Sequence, residues 1–134
     1  IRNLDSLGKV QSLTISDCEH LVDVSPLSGV RKLKIAGCEK IENVGALGTV
    51  QHLTLFGLNG VRDVDALANV YNLTLAHCPN VKNVNALGGV NTLTLQFMHD
   101  LGNVGALQSV ENLRIVHCKN IENVPRGAYV ESMY

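Results

Sequence analysis

Moving 20 residues along this chain lands on the same residue type again, and that period constrains the fold more than any other feature. Residues 63–82, DVDALANVYNLTLAHCPNVK, carry the scheme that both flanks repeat. Seven apolar columns recur. Leu7, Leu27 and Leu47 open the first. Val10, Val50 and Val70 belong to the second, and Leu33, Leu53 and Leu73 to the third. Ile35, Leu55 and Leu75 make the fourth, and Cys18, Cys38, Leu58, Cys78, Met98 and Cys118 the fifth. Ile1, Ile41 and Val61 lie in the sixth, and Leu4, Val44 and Val64 in the seventh.

Only one place in each unit sets apolar residues two apart, the L-x-[IL] pair, and a period of two is the strand signal. Elsewhere the apolar residues fall every third position. That spacing, with Val in two columns and Gly, Asn and Asp between, suits extended or 3₁₀ turns better than an α-helix. Each unit therefore predicts one short strand, such as Asn72–Ala76, and a return path of turns. Twenty residues cannot bury a core alone, so the units stack, with parallel strands about 4.8 Å apart. With 46% apolar and 4% aromatic residues and no Trp, the resulting core is aliphatic.

The 134 residues read as one domain of about six repeats, with no linker or shift of composition inside it. The period reaches both ends: Ile1 falls in the sixth column, and the tail VPRGAYVESMY keeps Val130 and Met133 in phase, although Gly127 replaces the column Leu and Pro125 and Arg126 break the pattern. Neither end shows a polar cap, so the expectation is a piece of a longer array or an end that a partner covers.

The spacing L-x-x-L-x-L-x-x-C, as in VYNLTLAHC, VRKLKIAGC and VENLRIVHC, resembles the leucine-rich repeat family over the whole chain. Val usually replaces the first Leu, and the spacing C-x-x-L in CEHL and CPNV is similar to the cysteine-containing variety of these repeats. The short unit leaves no room for a convex helix. The resemblance implies a curved, mainly β solenoid whose strands form a concave parallel β-sheet acting as a scaffold for a protein or ligand. A parallel β-helix is the alternative fold, but it needs more than one strand-like alternation per rung.

Charge narrows the partner. A formal net charge of -1, from 11 basic and 12 acidic residues, lacks the clustered positive excess of ordinary nucleic-acid binders. No stretch approaches the roughly 20 apolar residues that cross a bilayer, so no membrane partner is expected. The chain opens on IRNLDSLGKV, with no initiator Met, basic n-region or apolar h-region, so any signal peptide is expected to lie outside this sequence or never to have existed.

The cysteines are the most reactive residue type, and their column argues for packing. Cys18 and Cys38 fall on adjacent rungs, where in-register side chains run parallel and relaxed disulfide geometry is out of reach; Cys78 and Cys118 are two rungs apart. Free buried thiols favour an intracellular compartment, with secretion left open. His77-Cys78 and His117-Cys118 read as metal or catalytic pairs at first sight, but neighbours in an extended segment point to opposite faces. No catalytic motif, cofactor fingerprint or metal site is expected, and the chain reads as non-enzymatic. The polar column Asn3, Asp23, Asn43, Asp63, Asn83, Asn103 and Asn123 suits turns whose backbone it hydrogen-bonds, rather than calcium.

Variation concentrates on the outward strand positions. Phe56, Ala76, Phe97 and Val116, with His77 and His117, form a candidate patch toward the strand ends, and Tyr71 adds an aromatic residue before its strand. Arg31, Lys32 and Lys34 make a basic spot on the second rung. Asn72-Leu73-Thr74 is a glycosylation sequon on this same face, where a glycan would obstruct binding. The expected function is recognition of a protein partner by the concave face. The alternative is a structural element stacked end to end by self-association.

Overall fold

The computed structural model describes residues 11–98 and 101–131. Ile1, Asn3, Leu4, Leu7, Val10 and Met133, assigned to columns above, lie outside the described residues.

Each L-x-[IL] pair forms a strand of five residues: β1 Ser12–Ser16, β2 Lys32–Ala36, β3 His52–Phe56, β4 Asn72–Ala76 and β5 Thr92–Gln96. A short β6, Gly102–Asn103, precedes β7, Asn112–Val116, and β8, Ile121–Glu122, precedes β9, Tyr129–Glu131. One open parallel sheet runs β1-β2-β3-β4-β5-β7-β9, and β6 pairs with β8 alone. From β1 to β7 each residue pairs with the one 20 positions on, as in Leu53↔Leu73 and Leu55↔Leu75. The period is thus the register itself. This is the concave sheet of a leucine-rich repeat solenoid, not a β-helix: the return path of these units consists of 3₁₀ turns, such as Gly45–Thr49, Asp65–Asn69 and Asn85–Gly89.

The three-residue spacing is visible in the hydrogen bonds. The Leu67 N–H donates to the Val64 carbonyl at 3.0 Å and the Val70 N–H to the Leu67 carbonyl at 3.1 Å. An i to i+3 bond eclipses the side chains it joins, so Val64, Leu67 and Val70 all turn inward. Asp63 starts the same turn: its Oδ1 accepts from the Asp65 N–H at 2.9 Å, and Asn43, Asn83 and Asn103 do likewise at 2.8 Å. The polar column therefore serves the backbone of its own rung, two residues on. At Asp23 the Ser25 hydroxyl and N–H hold the carboxyl below its ordinary value.

The columns close into one aliphatic core. Leu47, Leu55, Leu58, Leu67, Leu75, Leu87 and Leu93 are fully buried. The columns open only on the outermost described rungs, where Leu13, Cys18, Cys118 and Ile121 are half-buried.

The last unit departs from the period. Val130, expected to continue the Val110 column, instead pairs with Ile115, while Tyr129 pairs with Arg114 and Glu131 with Val116. The offset has dropped from 20 to 15. A tight turn in which the Ala128 N–H donates to the Pro125 carbonyl at 3.2 Å replaces the 3₁₀ turn. Pro125 offers no N–H, and Gly127 has no side chain to fill the Leu column, so the longer path has nothing to bury. Val124 and Val130, assigned to core columns, are 37% and 52% exposed.

Candidate recognition surface

Strand alternation puts the first, third and fifth residue of each five-residue strand on the outer face of the sheet. Cross-strand bonds tie this face: the Asn72 side-chain amide meets His52 Nδ1 at 2.8 Å, and the Asn112 amide donates to Thr92 Oγ1 at 3.5 Å. Asn72, the sequon residue, is thus half-buried and engaged. Two residues expected as exposed contacts are not exposed. Ala76 is buried in register between Phe56 and Gln96, whose larger side chains flank its single methyl. Val116 is buried between Gln96 and Glu131.

The residue after each of these strands adopts a positive φ: Asp17 at 55°, Gly37 at 69°, Gly57 at 68°, His77 at 51°, Phe97 at 54° and His117 at 52°. The left-handed residue ends the strand and aims the following fifth-column residue inward. Its N–H still serves the sheet; that of His77 donates to the Gln96 carbonyl at 3.1 Å and that of Phe97 to the Val116 carbonyl at 3.0 Å. His77 and Cys78 are separated by this turn rather than by extended pleating. For an L-residue the conformation costs about 1 to 2 kcal/mol, which Gly37 and Gly57 avoid. Their recurrence at one column was the readable signal of a left-handed site.

On this column the rings meet. Phe56 and His77 lie 5.1 Å apart edge to face, His77 and Phe97 stack at 4.4 Å and 8° between planes, and Phe97 and His117 stand 5.2 Å apart. Where the column holds Gly57, Phe56, one residue earlier, supplies the ring. Four successive rungs thus build one ring ladder along the strand ends, each contact contributing about 0.5 to 1.5 kcal/mol. At its end His117 Nε2 lies 3.5 Å from Glu131 Oε2.

The other predicted contacts stand elsewhere. Tyr71, 54% exposed, precedes β4 and meets His52 edge-on at 6.3 Å, across the sheet from the ladder. Arg31, Lys32 and Lys34 are exposed on the second rung. Arg114, outside the predicted contacts, sits 5.1 Å from the centre of the Tyr129 ring. The structure therefore joins Phe56, His77, Phe97 and His117 into one feature and leaves Tyr71 and the basic spot apart from it.

The four thiols stand free, and those of the inner rungs point into the core. The Cys78 thiol donates to the Ala76 carbonyl at 3.4 Å, while Met98 Sδ accepts the Cys78 N–H at 3.4 Å. Cys118 Sγ in turn accepts the Met98 N–H at 3.3 Å. Sulfur in this column thus satisfies backbone groups as well as filling space. Burial pushes the Cys38, Cys78 and Cys118 thiols above their ordinary value. A raised acid contributes stability below its unfolded pKa and loses it as pH rises through the folded one, so this term vanishes only in alkaline solution. With a chromogenic disulfide reagent at about pH 8, Cys38 and Cys78 should stay silent until denaturant is added, and half-buried Cys18 should react first. Four thiols reacting in the native protein as fast as in the unfolded chain would contradict their burial. Among the described residues, no three His, Cys, Asp or Glu side chains converge as a metal site.

Neither a protein-family model nor a curated protein matches the sequence. Among solved structures the chain is similar to an internalin (InlF) from Listeria monocytogenes, with a TM-score of 0.54 and 20% sequence identity. The match covers 91% of this chain and 45% of the internalin, so the chain spans less than half of that structure's length. At that identity the likeness is one of fold. The fold is that of the leucine-rich repeat proteins, as the L-x-x-L-x-L-x-x-C spacing implied.

Proposed function

We propose that this chain is a non-enzymatic recognition scaffold that holds a protein partner on the outer face of its sheet, with the ring ladder as its anchor. The observation that carries the reading is the placement of His77, Phe97 and His117 on left-handed backbone, where two other rungs use glycine. Each costs the fold backbone energy of about 1 to 2 kcal/mol that glycine would avoid, and the aromatic stacking along the ladder is a term of similar size. Aromatic side chains held rigid on a sheet are the usual anchors of protein interfaces. The internalin likeness supports the scaffold and says nothing of the partner.

The test compares proteins retained from one cell extract by the immobilised chain and by a Phe56→Ser, His77→Ser, Phe97→Ser variant. Anchors worth about 2 kcal/mol each predict at least about a 30-fold loss for the true partner. A Val22→Ser control, changed at an exposed residue outside the sheet, should retain it. Retention by the ring variant together with loss on Val130→Glu would move the function to end-to-end stacking.

A further inference from the structure

The outer face of the sheet is electrostatically one-sided. The three outward positions on each of β1, β2, β3, β4, β5 and β7 include Lys32, Lys34 and Arg114 and no Asp or Glu. The chain as a whole has one more acidic residue than basic, 12 against 11, so this is segregation and not excess. Carboxylates keep to the strand ends, as at Asp17, and to the return path, as at Asp23, Asp63 and Asp65. On β9, Glu131 is already engaged, accepting from the Tyr129 hydroxyl at 2.8 Å and facing His117 at 3.5 Å. Among the described residues Lys32 and Lys34 have no carboxylate within ion-pair distance.

The cations are also spaced. Lys34 and Arg114 share one register line, joined through Thr54, Thr74 and Thr94. Four rung spacings separate them by about 19 Å, the length of roughly six extended residues. Thr54, Thr74 and Thr94 between them are half-buried, with their side chains on the outer face that a chain laid across the strands would cover. A single-stranded nucleic acid is the poorer fit, because it needs a continuous basic track and free ring faces. Here the middle of the line is neutral, and His77 and Phe97 spend their faces on each other.

We infer that the partner presents an extended acidic segment, with carboxylates about six residues apart engaging Lys32 and Lys34 at one end and Arg114 at the other, and a polar middle on the threonine line. This rests on the reading of the face as a recognition surface and names the chemistry that surface selects.

The probe is a fluorescein-labelled peptide of about eight residues with paired Glu at each end and Ser and Thr between, followed by anisotropy. Its expected affinity exceeds that of the matching Gln peptide by about tenfold or more, and weakens as salt rises from about 50 to about 500 mM. Lys32→Glu with Lys34→Glu, or Arg114→Glu alone, should each weaken it about tenfold, while Lys40→Glu, in the turn beyond β2, should not. Far-ultraviolet circular dichroism confirms that each variant keeps its sheet. Equal binding of the Glu and Gln peptides, indifference to both reversals, or tighter binding of a single-stranded DNA oligomer would overturn the inference. If the peptide fails while the ring variant still loses a captured protein, the acidic segment falls and the recognition face stands. Failure of both tests removes both.

Discussion

Replacing Leu73 by alanine lowers the free energy of unfolding by about 2 to 5 kcal/mol. The side chain is 1% exposed, on the middle strand, with Leu53 and Leu93 directly above and below it in register. Its loss removes a buried isobutyl group from a ladder whose backbone spacing is fixed by hydrogen bonds, so neighbours cannot close the gap by sliding. In a stack of short units each rung is stabilised mainly by its two neighbours, so the defect weakens two interfaces at once. Urea titration followed by circular dichroism measures it; a loss under about 1 kcal/mol would mean the column is not a packed core.

His77→Pro should cost at least about 3 kcal/mol, and His77→Gly close to nothing. Proline fixes φ near -65°, against the 51° observed, and deletes the N–H that reaches the Gln96 carbonyl. Glycine keeps both, releases the left-handed cost and gives up the ring contacts, two terms of similar size. The pair separates backbone from side chain at one position. If glycine were as damaging as proline, the ring ladder and not the turn would be what holds the rung.

The sequence announced the strands and turns because their two spacings differ: two residues between Leu73 and Leu75, three between Val64, Leu67 and Val70. Each spacing maps onto one hydrogen-bonding pattern, which is why the register came out at 20. The left-handed column was harder to see. Asp17, Gly37, Gly57, His77, Phe97 and His117 share a conformation and no chemistry, and only the two glycines hint at it. The ladder was half legible. Its rings lay in the proposed patch, but Phe56 and His77 belong to different columns, and their contact depends on a turn the pleated alternation did not contain. Ala76 and Val116 are buried, not exposed as expected, because outward is not the same as exposed when taller side chains stand on either side. The shift in the last unit was hidden for a related reason: Val130 matches the period, while Pro125 and Gly127 decide the path.

That shortened junction has a consequence for how the chain finds its fold. Six successive strands of the sheet, β1 to β5 and β7, pair at one offset, so a growing stack in which one unit is skipped would still match every column and would loop out only the skipped unit. Such near-degenerate alignments are kinetic traps for repetitive chains. The pairing of Arg114 with Tyr129 and Ile115 with Val130 obeys a different offset, which no other pair of strands from β1 to β7 shares. It acts as a phase mark: β9 docks on β7 at an offset of 15, where the strands from β1 to β7 in the same sheet dock at 20.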